Sequence, residues 1–348
     1  MKTSLTTYDN AAAEGPLRVV SQQWAALGLS LQADRPSELV IDPEALLWCT
    51  LEVGRYDPRL FDEVIDWLEL NHRKINVARL KALGPGANDI RWRILSAVAT
   101  KVRRRPQSQG WQTLAQNRKA SDGRLAGETS VFLDKAGRAL SARTRTDPDF
   151  ADAGLLRGRF QGRGRSTNPN LSLPGALLLR AKGIFGSDAR AYVWAALLTR
   201  EGAFQASLAE QTGYSKLNVA RALAGLVESG ICREERRRTA KWYALVDRDA
   251  WRSLLHLERT ALRWPNWIRL FRGLVHLCRT WNRCNQGQLS EYLFASELRK
   301  AFVEARDDIF AGGLKITSPS PDNYIADEFL PPLRRFLQEV FDRSLGLR

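Results

Sequence analysis

The sequence predicts a mainly α-helical protein with small β-hairpins, in which a central winged helix-turn-helix is flanked by N-terminal and C-terminal helical regions. Three observations predict this class. Apolar residues recur at helical spacing through most of residues 42–100 and 251–348. Residues 184–246 show three helices followed by two short strands. Residues 101–172 are rich in Arg, Gly, Ser and Gln, which is typical of a linker.

These patterns divide the chain into four predicted parts, since 348 residues are enough for two or three folded units and a connection. Residues 1–100 form a helical N-terminal domain, and residues 101–172 form a basic linker with one short hairpin at Ser130–Ala142. Residues 173–250 hold the winged helix-turn-helix. Residues 251–348 form a Trp-rich helical domain that contributes core or dimer contacts.

Composition favours a folded chain. Hydrophobic residues make up 44% and charged residues 26%, which is the balance of a globular protein. No apolar run reaches the roughly 18 residues that a membrane helix needs, and residues 1–15 lack the charged-then-apolar layout of a secretory signal. We therefore expect a cytoplasmic protein with no membrane partner.

No motif indicates catalysis or metal binding. The four cysteines (Cys49, Cys232, Cys278 and Cys284) lack CxxC spacing, so they are predicted as buried thiols. Neither a GxSxG elbow nor a P-loop occurs. The carboxylates between Asp57 and Glu69 are predicted to form a solvated acidic helix face. We predict no metal, no cofactor and no enzymatic activity.

The formal net charge is +15, which favours a polyanionic partner. The excess lies in the middle of the chain, because residues 101–200 contain 19 Lys and Arg against 7 Asp and Glu. We predict that arginines of this region contact a nucleic-acid backbone, although a simple tether is an equal alternative. The candidates are Arg103, Arg104, Arg105, Arg157, Arg159, Arg163 and Arg165.

The third helix of the central part carries the predicted base contacts. Ser215 is a good N-cap, and Val219 and Leu223 mark the face that packs on the two preceding helices. The opposite face carries side chains suited to the major groove, because Asn pairs with adenine, Arg pairs with guanine and Lys binds phosphate or guanine. The predicted recognition-helix residues are Ser215, Lys216, Asn218 and Arg221.

A hairpin follows that helix. Gly230 ends the helix, and Ile231–Glu235 and Lys241–Val246 alternate as two strands around a turn at residues 236–240. Three consecutive arginines at a turn are typical of a site that binds an anion. The predicted wing residues are Arg236, Arg237, Arg238 and Lys241.

Residues 208–213 (LAEQTG), 223–230 (LAGLVESG) and 242–245 (WYAL) resemble the MarR/ArsR-type winged-helix regulators. The resemblance covers about 60 of the 348 residues. It implies that the third helix reads DNA, that the wing holds the backbone, and that the protein is a homodimer. The long basic segment before this region and the Trp-rich region after it depart from those small regulators. The function expected from it is sequence-specific binding of double-stranded DNA and regulation of transcription.

Two alternatives stay open at this point. The segment 74–79 (KINVAR) echoes 216–221 (KLNVAR), so residues 1–100 are a candidate for a second HTH-like unit. A plasmid- or phage-type replication initiator with two winged helices would have that organisation. Winged helices also serve as protein-interaction modules, and here the partner would be a protein such as a toxin or defence component.

Aromatic residues also recur at helical spacing from Trp264 to Trp281. Such a wide stripe is first interpreted as core. A homodimer contact and a ligand pocket are its two other interpretations.

Overall fold

The computed structural model describes residues 3–30, 38–116, 129–141, 145–287 and 289–346. Helices dominate and the strands form two small sheets, which confirms the predicted class. The helices are α1 (Thr3–Ala26), α2 (Pro43–Val53), α3 (Pro58–Asn71), α4 (Val77–Ala82), α5 (Ile90–Val102), α6 (Gln109–Ala115), α7 (Pro148–Ala151), α8 (Leu177–Phe185), α9 (Ala189–Leu198), α10 (Gln205–Thr212), α11 (Lys216–Glu228), α12 (Arg248–Leu254), α13 (Trp267–Gln286), α14 (Glu291–Ala311) and α15 (Leu330–Ser344). The strands are β1 (Thr129–Ser130), β2 (Leu155–Leu156), β3 (Ala203–Phe204), β4 (Cys232–Arg237) and β5 (Ala240–Leu245).

The helix α2 lies at the centre of the molecule. The Asp42 carboxylate caps its first turn by accepting a hydrogen bond from the Ala45 amide at 3.1 Å, and Pro43 occupies the first helical position. Every residue of α2 is buried, because α1, α4, α5 and α13 all pack around it. Trp267, at the start of α13, donates its indole N–H to the Val40 carbonyl at 2.7 Å. The N-terminal and C-terminal helical regions therefore share one core.

The described parts of residues 101–172 do not form the predicted linker. The helix α5 continues to Val102, α6 packs against α5, and Val131, Phe150 and Leu155 are completely buried. The apolar side chains scattered through this segment fold it onto the N-terminal helices, since leaving them exposed would lose the hydrophobic free energy of their burial.

The hairpin predicted at Ser130–Ala142 is only partly formed. The Asp134 carboxylate closes the turn by accepting hydrogen bonds from the Ala136 and Arg138 amides, both at 2.9 Å. Strand pairing across the turn is limited to one bridge, and Ser130 pairs in parallel with Leu156 instead. Ala142 lies outside the described residues.

Residues 189–245, here called the central unit, contain α9, β3, α10, α11, β4 and β5 in that order. The three helices pack on one another, and the antiparallel sheet has the order β3-β5-β4. Cys232 pairs with Leu245 and Arg237 pairs with Ala240, so the hairpin turn contains only Arg238 and Thr239. The turn is shorter than the predicted 236–240 because the strands continue through Arg236 and Arg237.

The aromatic stripe of the C-terminal region lies inside the molecule. Trp264, Trp267, Phe271 and Trp281 are buried where α13 meets α2 and α14. The core interpretation of this stripe therefore agrees with the structure, and these rings are not exposed to a second copy. None of the described helices combines the length and the apolar composition that a membrane crossing needs.

Candidate nucleic-acid interface

The start of α11 is fixed by local capping. Gly213 has a φ of +71° in the left-handed region and ends α10. Ser215 is the N-cap of α11, and its hydroxyl accepts a hydrogen bond from the Asn218 amide at 3.2 Å. Val219 and Leu223 are buried against the other two helices of the central unit. The helix thus presents its other face outward.

The exposed face of α11 carries all four predicted recognition residues. Ser215, Lys216, Asn218 and Arg221 are exposed. Among the described residues, no hydrogen-bond or ion-pair partner contacts the side chains of Lys216, Asn218 and Arg221. Long polar side chains without partners in their own chain remain available to a ligand that supplies acceptors and donors.

The β4–β5 hairpin, predicted as the wing, contains two kinds of cation. Lys241 pairs with Glu234 at 2.9 Å, and Arg237 pairs with Glu235 at 3.4 Å and stacks 4.1 Å from the Trp242 ring. Arg236 and Arg238 are exposed and have no carboxylate partner among the described residues. Arg236, near the end of β4, and Arg238, in the turn, therefore carry the unmatched positive charge of this hairpin.

Arg157 is not available for the predicted backbone contact. Its side chain is 2% exposed and pairs with Asp62 at 2.8 Å. The rings of Phe132 and Phe150 lie 5.1 and 4.9 Å from its guanidinium carbon. Burial with a carboxylate and aromatic rings gives Arg157 a role in the core, which corrects the sequence-based prediction.

The other arginines predicted as backbone contacts lie at the surface. Arg104 and Arg105 pair with Asp149 and Glu69, so their charges are partly neutralised. Among the described residues, the Arg103 side chain has one polar neighbour, the Gln112 side chain at 3.4 Å. Arg163 lies 3.7 Å from Glu63. Two further arginines of this set, Arg159 and Arg165, are exposed without a carboxylate partner among the described residues.

Two cations that sequence patterns did not single out lie near this surface. Arg73 is exposed, and the Lys74 ammonium lies 3.4 Å from the Asn168 side-chain oxygen. Burial and the neighbouring Arg73 lower the pKa of Lys74. The HRK tripeptide at residues 72–74 was the available signal. We call Arg73, Lys74, Arg163 and Arg165 the basic track.

Asn76 connects the basic track to the central unit. Its side-chain amide donates to the Ser187 carbonyl and, at 2.8 Å, to the Tyr214 hydroxyl. Tyr214 is the residue immediately before the Ser215 cap of α11. The track and the predicted recognition residues therefore lie on connected elements rather than on separate parts of the chain.

A buried ion cluster reinforces that connection. Arg79 pairs with Asp42 and, at 2.8 Å, with Glu44, and its Nε donates to the Thr212 carbonyl at 2.8 Å. Lys182 of α8 binds Glu44 at 2.7 Å. Burial raises the pKa of the Glu44 carboxyl, but Lys182 and Arg79 outweigh it and hold that pKa below its ordinary value. The turn before α11 is thus tied to α2 and α4.

The similar segments 74–79 and 216–221 occupy different environments. Asn76 caps α4, whereas Asn218 lies inside the first turn of α11. Arg79 is completely buried, whereas Arg221 is exposed. The six-residue α4 offers no exposed equivalent of the recognition face, so the predicted second HTH-like unit in residues 1–100 is not supported.

Within the described part of the chain, no group of three or more His, Cys, Asp or Glu side chains is placed to hold a metal ion. The carboxylates Asp62 and Asp66, predicted as a solvated face, are partly used inside the molecule. Asp62 binds Arg157, and Asp66 accepts hydrogen bonds from the Gly164 and Ser166 amides.

No family model, no curated protein and no solved structure matches this chain. The function is therefore inferred from the geometry of this molecule.

Proposed function

We propose that the central unit is a winged helix-turn-helix and that it binds double-stranded DNA in a sequence-specific manner to regulate transcription. One observation carries the proposal: Lys216, Asn218 and Arg221 share the exposed face at the start of α11 and have no side-chain partner among the residues that the structure describes. In the major groove, Asn pairs bidentately with adenine and Arg with guanine.

The surrounding cations supply affinity that is independent of base sequence. Arg236 and Arg238 of the wing contact one stretch of phosphates, and the basic track contacts another. Each phosphate contact releases condensed counterions, so the affinity falls as salt concentration rises. Different residues thus select the bases and supply the electrostatic attraction.

Two copies of the protein bind two half-sites in this proposal, because a two-fold operator matches a homodimer. Tyr292 and Leu293, exposed at the start of α14, are apolar surface available to such a contact. A cytoplasmic location is part of this proposal.

The test begins with selection of bound fragments from sheared genomic DNA. We expect one enriched motif, and we expect Asn218→Ala or Arg221→Ala to weaken binding to it by about 1–3 kcal/mol while relaxing the preferred base at one position. Arg306→Ala, which removes a partly exposed arginine of α14, is the control and leaves the affinity unchanged. Absence of any enriched motif, or an unchanged affinity in both α11 variants, contradicts the proposal.

A protein-interaction module is the second candidate. Leu217, on the same exposed turn of α11, is 59% exposed, and Phe204 of β3 is also exposed. Apolar side chains on this face suit a protein partner better than a base edge. If a purified partner binds this face, Leu217→Ser weakens the complex, whereas the Arg221→Ala variant retains it.

A further inference from the structure

A cavity of about 380 Å³ lies between α2, the loop from α4 to α5, and α13. This volume is in the range of small-molecule sites. Its apolar lining includes Trp48, Leu83, Ile268, Phe271 and Val275. The indole of Trp48 meets the ring of Trp92 edge-on, with centroids 4.7 Å apart, which fixes the orientation of that wall.

The charged groups in the lining are two guanidinium groups and no carboxylate. Arg91 uses Nε and Nη2 to bind Asp89, and its Nη1 has no hydrogen-bond partner among the described residues. Arg272 is 63% exposed, and its nearest carboxylate oxygen, on Asp308, is 3.8 Å away. Both arginines can therefore donate to an acidic group of a ligand.

We propose that this cavity binds a small organic acid with a flat aromatic body. The ring lies between Trp48 and Phe271, where apolar and aromatic walls remove it from water. The carboxylate lies toward Arg91 and Arg272, which supply charge-assisted hydrogen bonds.

The cavity is also next to the turn that begins α11. A Cβ atom added at Gly213 would lie 2.6 Å from Leu83 Cδ2 and 2.8 Å from Ile268 Cδ1, so both side chains already contact that glycine closely. Leu83 and Ile268 are the same side chains that line the cavity. An occupant that displaces them changes the position of the turn, and the ligand consequently changes DNA affinity. This last step rests on the proposed function.

The direct test is calorimetric titration of the full chain with naphthalene-1-acetate and phenylacetate, each compared with its neutral amide. We expect saturable binding of at least one acid and about tenfold weaker binding of its amide, because the amide lacks the charge that the arginines bind. Arg272→Gln weakens binding of the acid, whereas Arg306→Gln, in α14, leaves it unchanged.

Two further variants block the cavity. Ala45→Phe fills it from α2, and Gly86→Phe covers it from the loop. A Cβ added at Gly86 meets no atom within 4 Å, so we expect Gly86→Phe to fold like the parent. Loss of binding in Gly86→Phe supports the site. Failure of both acids to bind the parent protein, or unchanged binding in Gly86→Phe, overturns it.

The coupling is measured separately as duplex affinity with and without saturating acid. We expect a change of about fivefold or more, the lower end of ordinary allosteric coupling. An identical affinity overturns the coupling. If the parent protein binds the acid but no duplex, the proposed function is contradicted, whereas the ligand site is still supported.

Discussion

Arg79 of α4 and Asp42, the N-cap of α2, form a fully buried ion pair with two hydrogen bonds, one of them 2.7 Å long. The same arginine holds the Thr212 carbonyl, two residues before Tyr214. The orientation of α11 therefore depends on a charge pair in the N-terminal helices.

We expect Arg79→Met to lower the free energy of unfolding by about 3–5 kcal/mol, because it leaves the Asp42 and Glu44 carboxylates buried without that partner. Urea denaturation measures the loss. The control is Arg221→Met. Arg221 is the exposed arginine that occupies the same place in segment 216–221 as Arg79 does in segment 74–79, and its substitution leaves the unfolding midpoint unchanged. Equal stability of the two variants would contradict the structural distinction between the segments.

Gly213→Ala tests the contact between the turn and the cavity wall. The substitution forces alanine to a φ of +71°, which costs roughly 1 kcal/mol, and it also presses Cβ on Leu83 and Ile268. Gly230→Ala is the matched control, since Gly230 has a φ of +72° but an added Cβ there would meet no atom within 4 Å. Thermal denaturation of both is expected to show the larger loss at Gly213.

The lowered pKa of Asp89 leads us to expect that the stability of the folded protein depends on pH in the acid range. Burial raises the pKa of its carboxyl, but hydrogen bonds from Arg91 and Arg279 outweigh that effect and hold the pKa well below its ordinary value. A lowered pKa in the folded state stabilises the protein above the unfolded value of about 3.9, and this stabilisation is lost as the pH falls toward the folded value. Asp89→Asn keeps the N-cap but removes the charge.

We therefore expect Asp89→Asn to be less stable than the parent at pH 7 and to lose less stability between pH 4 and pH 2. Urea denaturation across this range provides the measurement. Asp307→Asn, at an 84% exposed position, serves as the control and follows the parent. Parallel pH curves for the Asp89 variant and the parent would refute the expectation.

The wing variant Arg236→Gln/Arg238→Gln is expected to weaken binding to all duplexes alike. If each arginine contacts one phosphate, the slope of log affinity against log salt concentration becomes shallower by about 2. Fluorescence anisotropy at several salt concentrations measures it. The paired control Arg306→Gln/Arg343→Gln, in α14 and α15, keeps the parent slope. An unchanged slope in the wing variant excludes those contacts.

The basic track makes a separate prediction. Arg73→Gln/Arg165→Gln changes two exposed cations, so we expect lower duplex affinity with an unchanged unfolding midpoint. Arg157→Gln changes a buried cation and lowers the midpoint instead, because Asp62 loses its partner. Reversal of these two results would show that the structural assignment of the arginines is incorrect.

The charged residues show which side-chain positions sequence patterns can predict and which they cannot. Local signals placed Lys216, Asn218 and Arg221 on the outer face of α11, since helical spacing alone decides which side opposes the apolar stripe. The same approach put Arg157 at the surface, because an arginine among glycines is typical of an exposed segment. Its partner Asp62 lies 95 positions earlier, and no short-range pattern connects the two.

The sequence by itself determined where α11 begins and ends, because Ser215 caps the helix through an atom three residues away and Gly230 supplies the turn after it. Only the tertiary structure decided which guanidinium groups face solvent. Arg79 meets its carboxylate across 37 positions of the chain. Burial of a charged side chain is costly unless an opposite charge lies beside it. For Arg79 the fold supplies that opposite charge from a distant part of the sequence, so local patterns do not predict its burial.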